Sequence, residues 1–319
     1  MAVYTEIADD DLARFLEGFD LGTAVAFKGI AEGVSNSNYL LETTTGRYIL
    51  TVYEVRSSEA DLPYFLALMD WLKDNGFPSA KPIRDRSGAT LGRVSGKPAA
   101  IVEFLPGLSV RRPSHEQRRA AGAGLAWLHQ AASGFPMRRV NTLGQPHWTN
   151  VFAPLHAEAE GLKPGLSKTI LADLAFLKAN WPTALPVGPI HADFFPDNVF
   201  FTGEAFAAAI DFYFACDEAL AYDIAVALNA WCFELDGSFN LTAARAFLSG
   251  YESHRPLTAP EKDALPVLAH GAALRFFLTR LEDWHAAPTG AFVKPHDPLE
   301  YERKLAVHRD GLHLFDEAG

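Results

Sequence analysis

Apolar residues recur every three or four positions from Asp9 to Phe19, with Leu12, Phe15, Leu16 and Phe19 on one face. That period predicts an amphipathic helix, with Asp9 or Asp10 as its cap. The period then changes. TAVAFKGIA and NYLLETTTGRYILTVYE predict β-strands, the last two joined at Thr45-Gly46, with the small polar turn EGVSNSN before them. The helical pattern returns from Glu59 to Asn75, with Leu62, Phe65, Leu66, Met69 and Leu72 on its apolar face and Gly76 as its stop. SAKPIRDRSGATLGRVSGKPAAIVEFLPG predicts short strands with hairpin turns at Ser87-Gly88 and Ser95-Gly96.

After Pro106-Gly107 the pattern becomes mostly helical. Ser114 opens a long helix, and Gln117, three residues on, completes a capping box. Residues 140–163 read as irregular, and residues 166–179 as another helix. Two short β-like runs follow, NVFF and AAAIDFYF, around a turn at Thr202-Gly203, and helices complete the chain. The pattern predicts an α+β protein of two lobes. A small β-rich lobe covers residues 1–104, and a larger, mostly helical lobe covers residues 105–319.

Composition narrows the functional classes. The 28 basic and 39 acidic residues leave a net charge of −11, a field that disfavours nucleic acid and anionic membranes as partners. No apolar run approaches the roughly 20 residues of a membrane span. The two cysteines make neither a disulfide framework nor a C-x-x-C site, and the first residues lack a signal peptide's basic and apolar regions. A cytoplasmic protein is the expectation.

The candidate chemistry lies in PIHADFFPDNVFF, residues 189–201, which is mostly apolar yet carries His191, Asp193, Asp197 and Asn198. Buried carboxylates need partners. A hairpin brings its outer ends together, so Asn198 and Asp211 can approach one point. An amide oxygen and a carboxylate there suit Mg²⁺, with phosphate and water completing its shell. Asp193, just upstream, stands where a base would orient a hydroxyl. Each residue also has a plain structural reading, as a turn or cap device. The set is more demanding: H-x-D-x-x-x-x-N, a β-run, a turn, a β-run, then I-D.

That set resembles the catalytic and metal-binding segments of the aminoglycoside phosphotransferase and choline kinase superfamily, which has the bilobal protein-kinase-like fold. The resemblance covers nearly the whole chain, with IVEFLPG as the hinge and LAWLHQA as the helix and histidine after it. SNSNYLLETTTGRYILTVYE, DLPYFLALMDWL, EALAYDIAVALNAWCF and ALRFFLTRLEDW are similar, more narrowly, to the homoserine kinases of that superfamily.

The resemblance implies ATP and Mg²⁺ as cofactors and L-homoserine as the acceptor. Choline, methylthioribose or an aminoglycoside is the alternative acceptor within the fold. Asp193 would be the base, and Asn198 and Asp211 the metal ligands. His191 would brace the loop. Asp223 would support it too, although it reads equally as an acid heading a helix. Gly33, Ser35, Asn36 and Ser37 would form the turn over the phosphates. Glu103 and Leu105 would meet adenine through backbone groups.

One departure is visible. Thr51 occupies the strand position where a phosphate-pairing Lys is expected. Arg47, Lys81 and Arg84 are nearby cations in sequence. For the substrate carboxylate, Arg275 is the first choice, because it sits among Ala, Leu and Phe. Two readings from other classes remain open. One is a hydrolase with His191, Asp193 and Asp211 on a metal. The other is a nucleotide-binding module without catalysis.

Overall fold

The structure, a computed structural model, describes residues 5–30, 36–54, 58–286 and 295–311. Helix α1 (Asp9–Leu16) begins after Ala8, which makes no side-chain cap. The three aspartates of its first turn favour the positive end of the helix dipole instead of capping it as expected. Strands β1 (Ala24–Ile30), β2 (Asn36–Thr43) and β3 (Gly46–Tyr53) follow. Thr43 pairs with Gly46, so the β2–β3 turn lies at Thr44-Thr45, one residue earlier than predicted. Helix α2 (Leu62–Asp74) has a proline in its first turn, where no N–H is needed. Strands β4 (Gly92–Val94) and β5 (Lys97–Glu103) complete an antiparallel sheet of order β1-β2-β3-β5-β4.

Strand alternation divides this sheet between two cores. Tyr39, Leu41, Leu50, Val52, Ala99 and Ile101 pack with Leu12, Leu16, Phe19 and Leu21. Tyr53, Ala100 and Val102 turn to the other face and join the main core with Phe65, Met69 and Phe212. Thr51 shares that second face.

The larger lobe contains α3 (His115–Ala131), α4 (Trp148–Phe152), α5 (His156–Leu162) and α6 (Leu166–Asn180). The strands β6 (Val187–Ile190), β7 (Val199–Thr202), β8 (Ala205–Ala209) and β9 (Cys216–Ala219) come next. Helices α7 (Leu220–Trp231), α8 (Leu241–Glu252), α9 (Ala259–Ala286) and α10 (Pro298–Arg309) follow. Ser114 and Gln117 form the expected capping box on α3. No helix of the described residues is long and apolar enough to cross a membrane.

Three local expectations change. Residues 140–163 are not irregular throughout, since α4 and α5 lie there; Pro146, Pro154 and Gly161 break up their period. The Ser87-Gly88 turn joins no strand pair. Its geometry comes from the Asp85 carboxylate, which accepts from the backbone N–H of Ser87 and Ala89. Strand β9 went unread because Cys-Asp-Glu-Ala shows no apolar alternation, yet it pairs with β6 along its length.

Candidate active site

The loop between β6 and β7 is held from below. The Asp223 carboxylate, in the first turn of α7, accepts from the backbone N–H of His191 and Ala192, both at 2.8 Å. His129 Nε2 lies 3.0 Å from the same carboxylate, and its Nδ1 lies 2.7 Å from the Tyr251 hydroxyl. Burial alone would raise the Asp223 pKa, but these partners hold it below the usual range. His191 Nε2 donates to the Ile210 carbonyl at 2.9 Å and ties the loop to the end of the hairpin. Burial lowers the His191 pKa, so its ring is neutral. Ala192 is thereby fixed at φ 61°, a left-handed conformation that costs a non-glycine residue about 1–2 kcal/mol.

The β7–β8 hairpin brings the polar groups together. Ile210 N–H donates to the Asn198 carbonyl at 3.0 Å, so Asp211 follows directly beside Asn198. The Asn198 amide donates to the Asp193 carbonyl at 2.9 Å and to Asp193 Oδ2 at 3.1 Å. Asp193 is pushed up to about 7 by burial, with Asp211 and Asp197 adding to the rise and Arg275 opposing it. Asp211 is pushed up to about 6, again by burial first and then by Asp197. It too has a left-handed backbone, φ 62°. Among the described residues no ion pair compensates either carboxylate. The pair therefore favours a cation, and the Asn198 amide oxygen is the natural companion donor. Among the described residues no group of three or more His, Cys, Asp or Glu could hold a metal alone.

Arg275, on α9, is buried at 4% exposure. It stacks on Phe276 at 3.9 Å and donates to the Ala192 carbonyl at 3.3 Å. It therefore lies beside Asp193. Arg280, the other late arginine, pairs instead with Glu300 of α10 at 2.7 Å.

The sheet lobe supplies the opposite wall. The Thr51 hydroxyl donates to the Asn38 side-chain oxygen at 2.8 Å. Tyr213, two residues after Asp211, lies 3.2 Å from the Tyr53 hydroxyl. Gly33 and Ser35 lie outside the described residues. For Ser37 the expectation needs correction, while Asn36 lies on the opposite face of the strand. Both are buried at the start of β2; the Asn36 oxygen accepts from Glu54 N–H, and the Ser37 hydroxyl donates to the Glu54 carboxylate at 2.8 Å. Strand alternation turns Ser37 to the α1 side of the sheet, away from a ligand.

At the hinge, the Glu103 N–H donates to the Lys81 carbonyl and its side chain pairs with Lys73 at 2.9 Å. Leu105 is partly buried in the segment after β5. Lys81 and Arg84 pair with Asp74 and Asp70 at the end of α2, so neither substitutes for the missing Lys. Arg47 stands over the Phe104 ring at 4.8 Å, at the hinge. Sequence reasoning singled out neither Arg139, Tyr222 nor Tyr213, whose side chains carry no recognisable chemical pattern.

A five-stranded sheet lobe against a helical lobe, with Asp193 and Asn198 on one loop and Asp211 after the next hairpin, defines a phosphotransferase of the kinase-like class. The chain belongs to the phosphotransferase enzyme family, whose family model matches residues 26–257. It is similar to the homoserine kinase of Caulobacter sp. (strain K31), 69% identical over 99% of both chains. The homoserine kinase of Phenylobacterium zucineum is 66% identical over 100% of this chain and 99% of the relative. Solved structures share the fold at lower identity. An amicoumacin kinase superposes with a TM-score of 0.69 at 17% identity, covering 94% of this chain and 92% of the other. A choline kinase from Cryptosporidium parvum superposes with a TM-score of 0.64 at 14% identity, covering 95% of both.

Proposed function

We propose that the protein transfers the γ-phosphoryl group of ATP to the side-chain hydroxyl of L-homoserine, giving O-phospho-L-homoserine for threonine biosynthesis. The observation that carries this reading is the 69% identity to a homoserine kinase over 99% of both chains. The site supports the chemistry. Asp193, with its pKa near neutrality, accepts the hydroxyl proton as the oxygen attacks the γ-phosphorus. The bond to the β–γ bridging oxygen breaks and ADP leaves. Asn198 and Asp211 would hold Mg²⁺, which when bound supplies charge neutralisation for the phosphates. Phosphoryl transfer needs mainly positioning, and the Asp223–His129–Tyr251 support provides it from below. A cytoplasmic location belongs to the same proposal, and the two free, buried thiols agree with it.

The test is ADP release from MgATP with L-homoserine, L-serine, L-threonine, choline, methylthioribose and kanamycin as separate acceptors. Turnover with L-homoserine on the order of 1–100 per second is expected. Turnover only with another acceptor would keep the chemistry and discard the substrate. Asp193→Asn should lower kcat by about 10²–10⁴-fold while MgATP still binds. A variant as fast as wild type would remove Asp193 from the role of base.

A further inference from the structure

A narrow recess opens beside the Asp193 loop, lined by Arg139, Asn141, Ala192, Phe214, Tyr222 and Arg275. Its polar groups are mainly donors, and several lack acceptors. Arg275 carries five N–H donors, yet among the described residues its one hydrogen bond goes to Ala192 and no carboxylate pairs with it. The Arg139 guanidinium binds Asp61 at 2.8 Å and the Ala215 carbonyl at 3.1 Å, and its buried Nε has no partner among the described residues. Tyr222 is 2% exposed, and its hydroxyl likewise has no partner among the described residues. Burial pushes that phenol well above its ordinary pKa, so it stays a donor.

A buried cation without a counter-ion is costly, and so is a buried donor without an acceptor. A carboxylate answers both, because its two oxygens match the forked donors of guanidinium groups. The recess is also correctly placed for an amino-acid acceptor. Arg275 bonds the residue immediately before Asp193, so a molecule anchored there by its carboxylate has its far end near the base. Phe214 and Tyr222 offer apolar walls to the short aliphatic chain between. Neutral or cationic amino alcohols would leave the donors unmatched.

We propose that Arg139, Arg275 and the Tyr222 hydroxyl together form the site for the acceptor's α-carboxylate, and that this site separates hydroxy amino acids from amino alcohols. The inference rests on the homoserine reading and adds Arg139 and Tyr222 to Arg275. Arg139 has a second partner, Asp61, which comes just before α2. Its removal therefore disturbs the small lobe as well, and Tyr222 provides the gentler variant.

The experiment compares kcat/KM for L-homoserine with that for 3-aminopropan-1-ol, the same molecule without its carboxylate. Wild type, Arg139→Gln, Tyr222→Phe and Arg275→Lys are measured with saturating MgATP. The wild-type preference for L-homoserine should reach about 10⁴-fold, as for sites built around a substrate's polar group. Arg139→Gln should reduce that preference about 100-fold or more, and Tyr222→Phe about 10-fold, mainly through the KM for L-homoserine. A merely structural role would slow both acceptors equally and leave the ratio unmoved, which would overturn the proposal. If Arg139→Gln does not fold, the ratios of Tyr222→Phe and Arg275→Lys decide in the same way. Wild type active on L-homoserine with unmoved ratios sinks this inference alone. Wild type inactive on L-homoserine sinks the homoserine reading and this inference with it.

Discussion

At the scale of single residues, the loop depends on acceptors placed beneath it. Asp223 receives two backbone N–H groups and faces His129, and it holds Ala192 in its left-handed conformation. Asp223→Asn replaces one acceptor oxygen with a donor, so at least one of those N–H groups loses its partner. A loss of about 3–5 kcal/mol in urea unfolding is expected, as for other broken buried charge partners. The kcat with MgATP should fall with it, because Asp193 is the next residue along. A variant of unchanged stability would show that the loop holds itself. His308 acts on stability from a distance. Burial, with His270, Lys304 and Arg309 adding, lowers its pKa from 6.5 to about 3, and Nε2 bonds the Asn229 oxygen at 2.7 Å. The folded state therefore refuses a proton that the unfolded chain accepts. The stabilisation is complete above pH 6.5 and is lost progressively as pH falls towards 3. Its total is a few kcal/mol, at about 1.4 kcal/mol per pH unit. His308→Gln keeps a donor for Asn229 but does not titrate. Its stability should fall less between pH 6.5 and 4 than that of wild type, and parallel curves would reject the assignment.

At the scale of elements, the crossing of α3 and α8 sets the geometry of the loop support. A Cβ at Gly122 would come within 1.9 Å of the Phe247 carbonyl oxygen, and one at Gly250 within 1.9 Å of the Arg119 carbonyl oxygen. Helix propensity alone says that Gly→Ala in a helix interior stabilises by about 1 kcal/mol. Here the clash is with backbone, which cannot swing aside as a side chain can. Gly122→Ala should therefore destabilise by about 1–3 kcal/mol or more, read as a lower urea midpoint. It should also lower kcat, because α3 carries His129 and α8 carries Tyr251. An increase in stability would mean that the helices can separate freely. Such crossings were not legible in the sequence, where the two glycines look like ordinary weak helix formers. The same limit explains the site. Asp193, Asn198 and Asp211 stand out because their spacing around a hairpin is itself a pattern, and a hairpin is a local structure. Arg139 and Tyr213 meet their partners far away in the chain, and Tyr222 faces a recess assembled from distant segments, so no window of sequence contains the reason for them. The sheet's strands showed their period of two, whereas β9 did not, since its acidic residues serve as partners for Arg138 and Asn141.

At the scale of the whole molecule, the question is how the two lobes meet where the expected Lys is absent. Thr51 lies at 2% exposure on the sheet face turned to the large lobe. Its hydroxyl donates to Asn38, while Tyr213 bonds the Tyr53 hydroxyl two residues along the same strand and packs edge-on against that ring at 5.3 Å. A hydroxyl network thus joins the third strand to the segment that follows Asp211. Asp211 is close enough for its charge to add to the rise of both phenol pKa values, after burial as the main cause. Thr51→Lys would introduce the charge that the resemblance leads one to expect, but into a setting where, among the described residues, only carboxylates can balance it. The longer side chain breaks the bond to Asn38 and crowds the nearby tyrosine pair. Its ammonium also has Asp211 as the available carboxylate and would compete with a metal ion there. Thr51→Lys should therefore be slower than wild type, need more Mg²⁺ for half-maximal rate, and unfold at a lower temperature. A faster variant with an unchanged Mg²⁺ requirement would reverse this argument. It would show that the missing charge limits the enzyme and that the tyrosine network only fills the space. A slower variant whose rate recovers at high Mg²⁺ would identify competition at Asp211 as the cause.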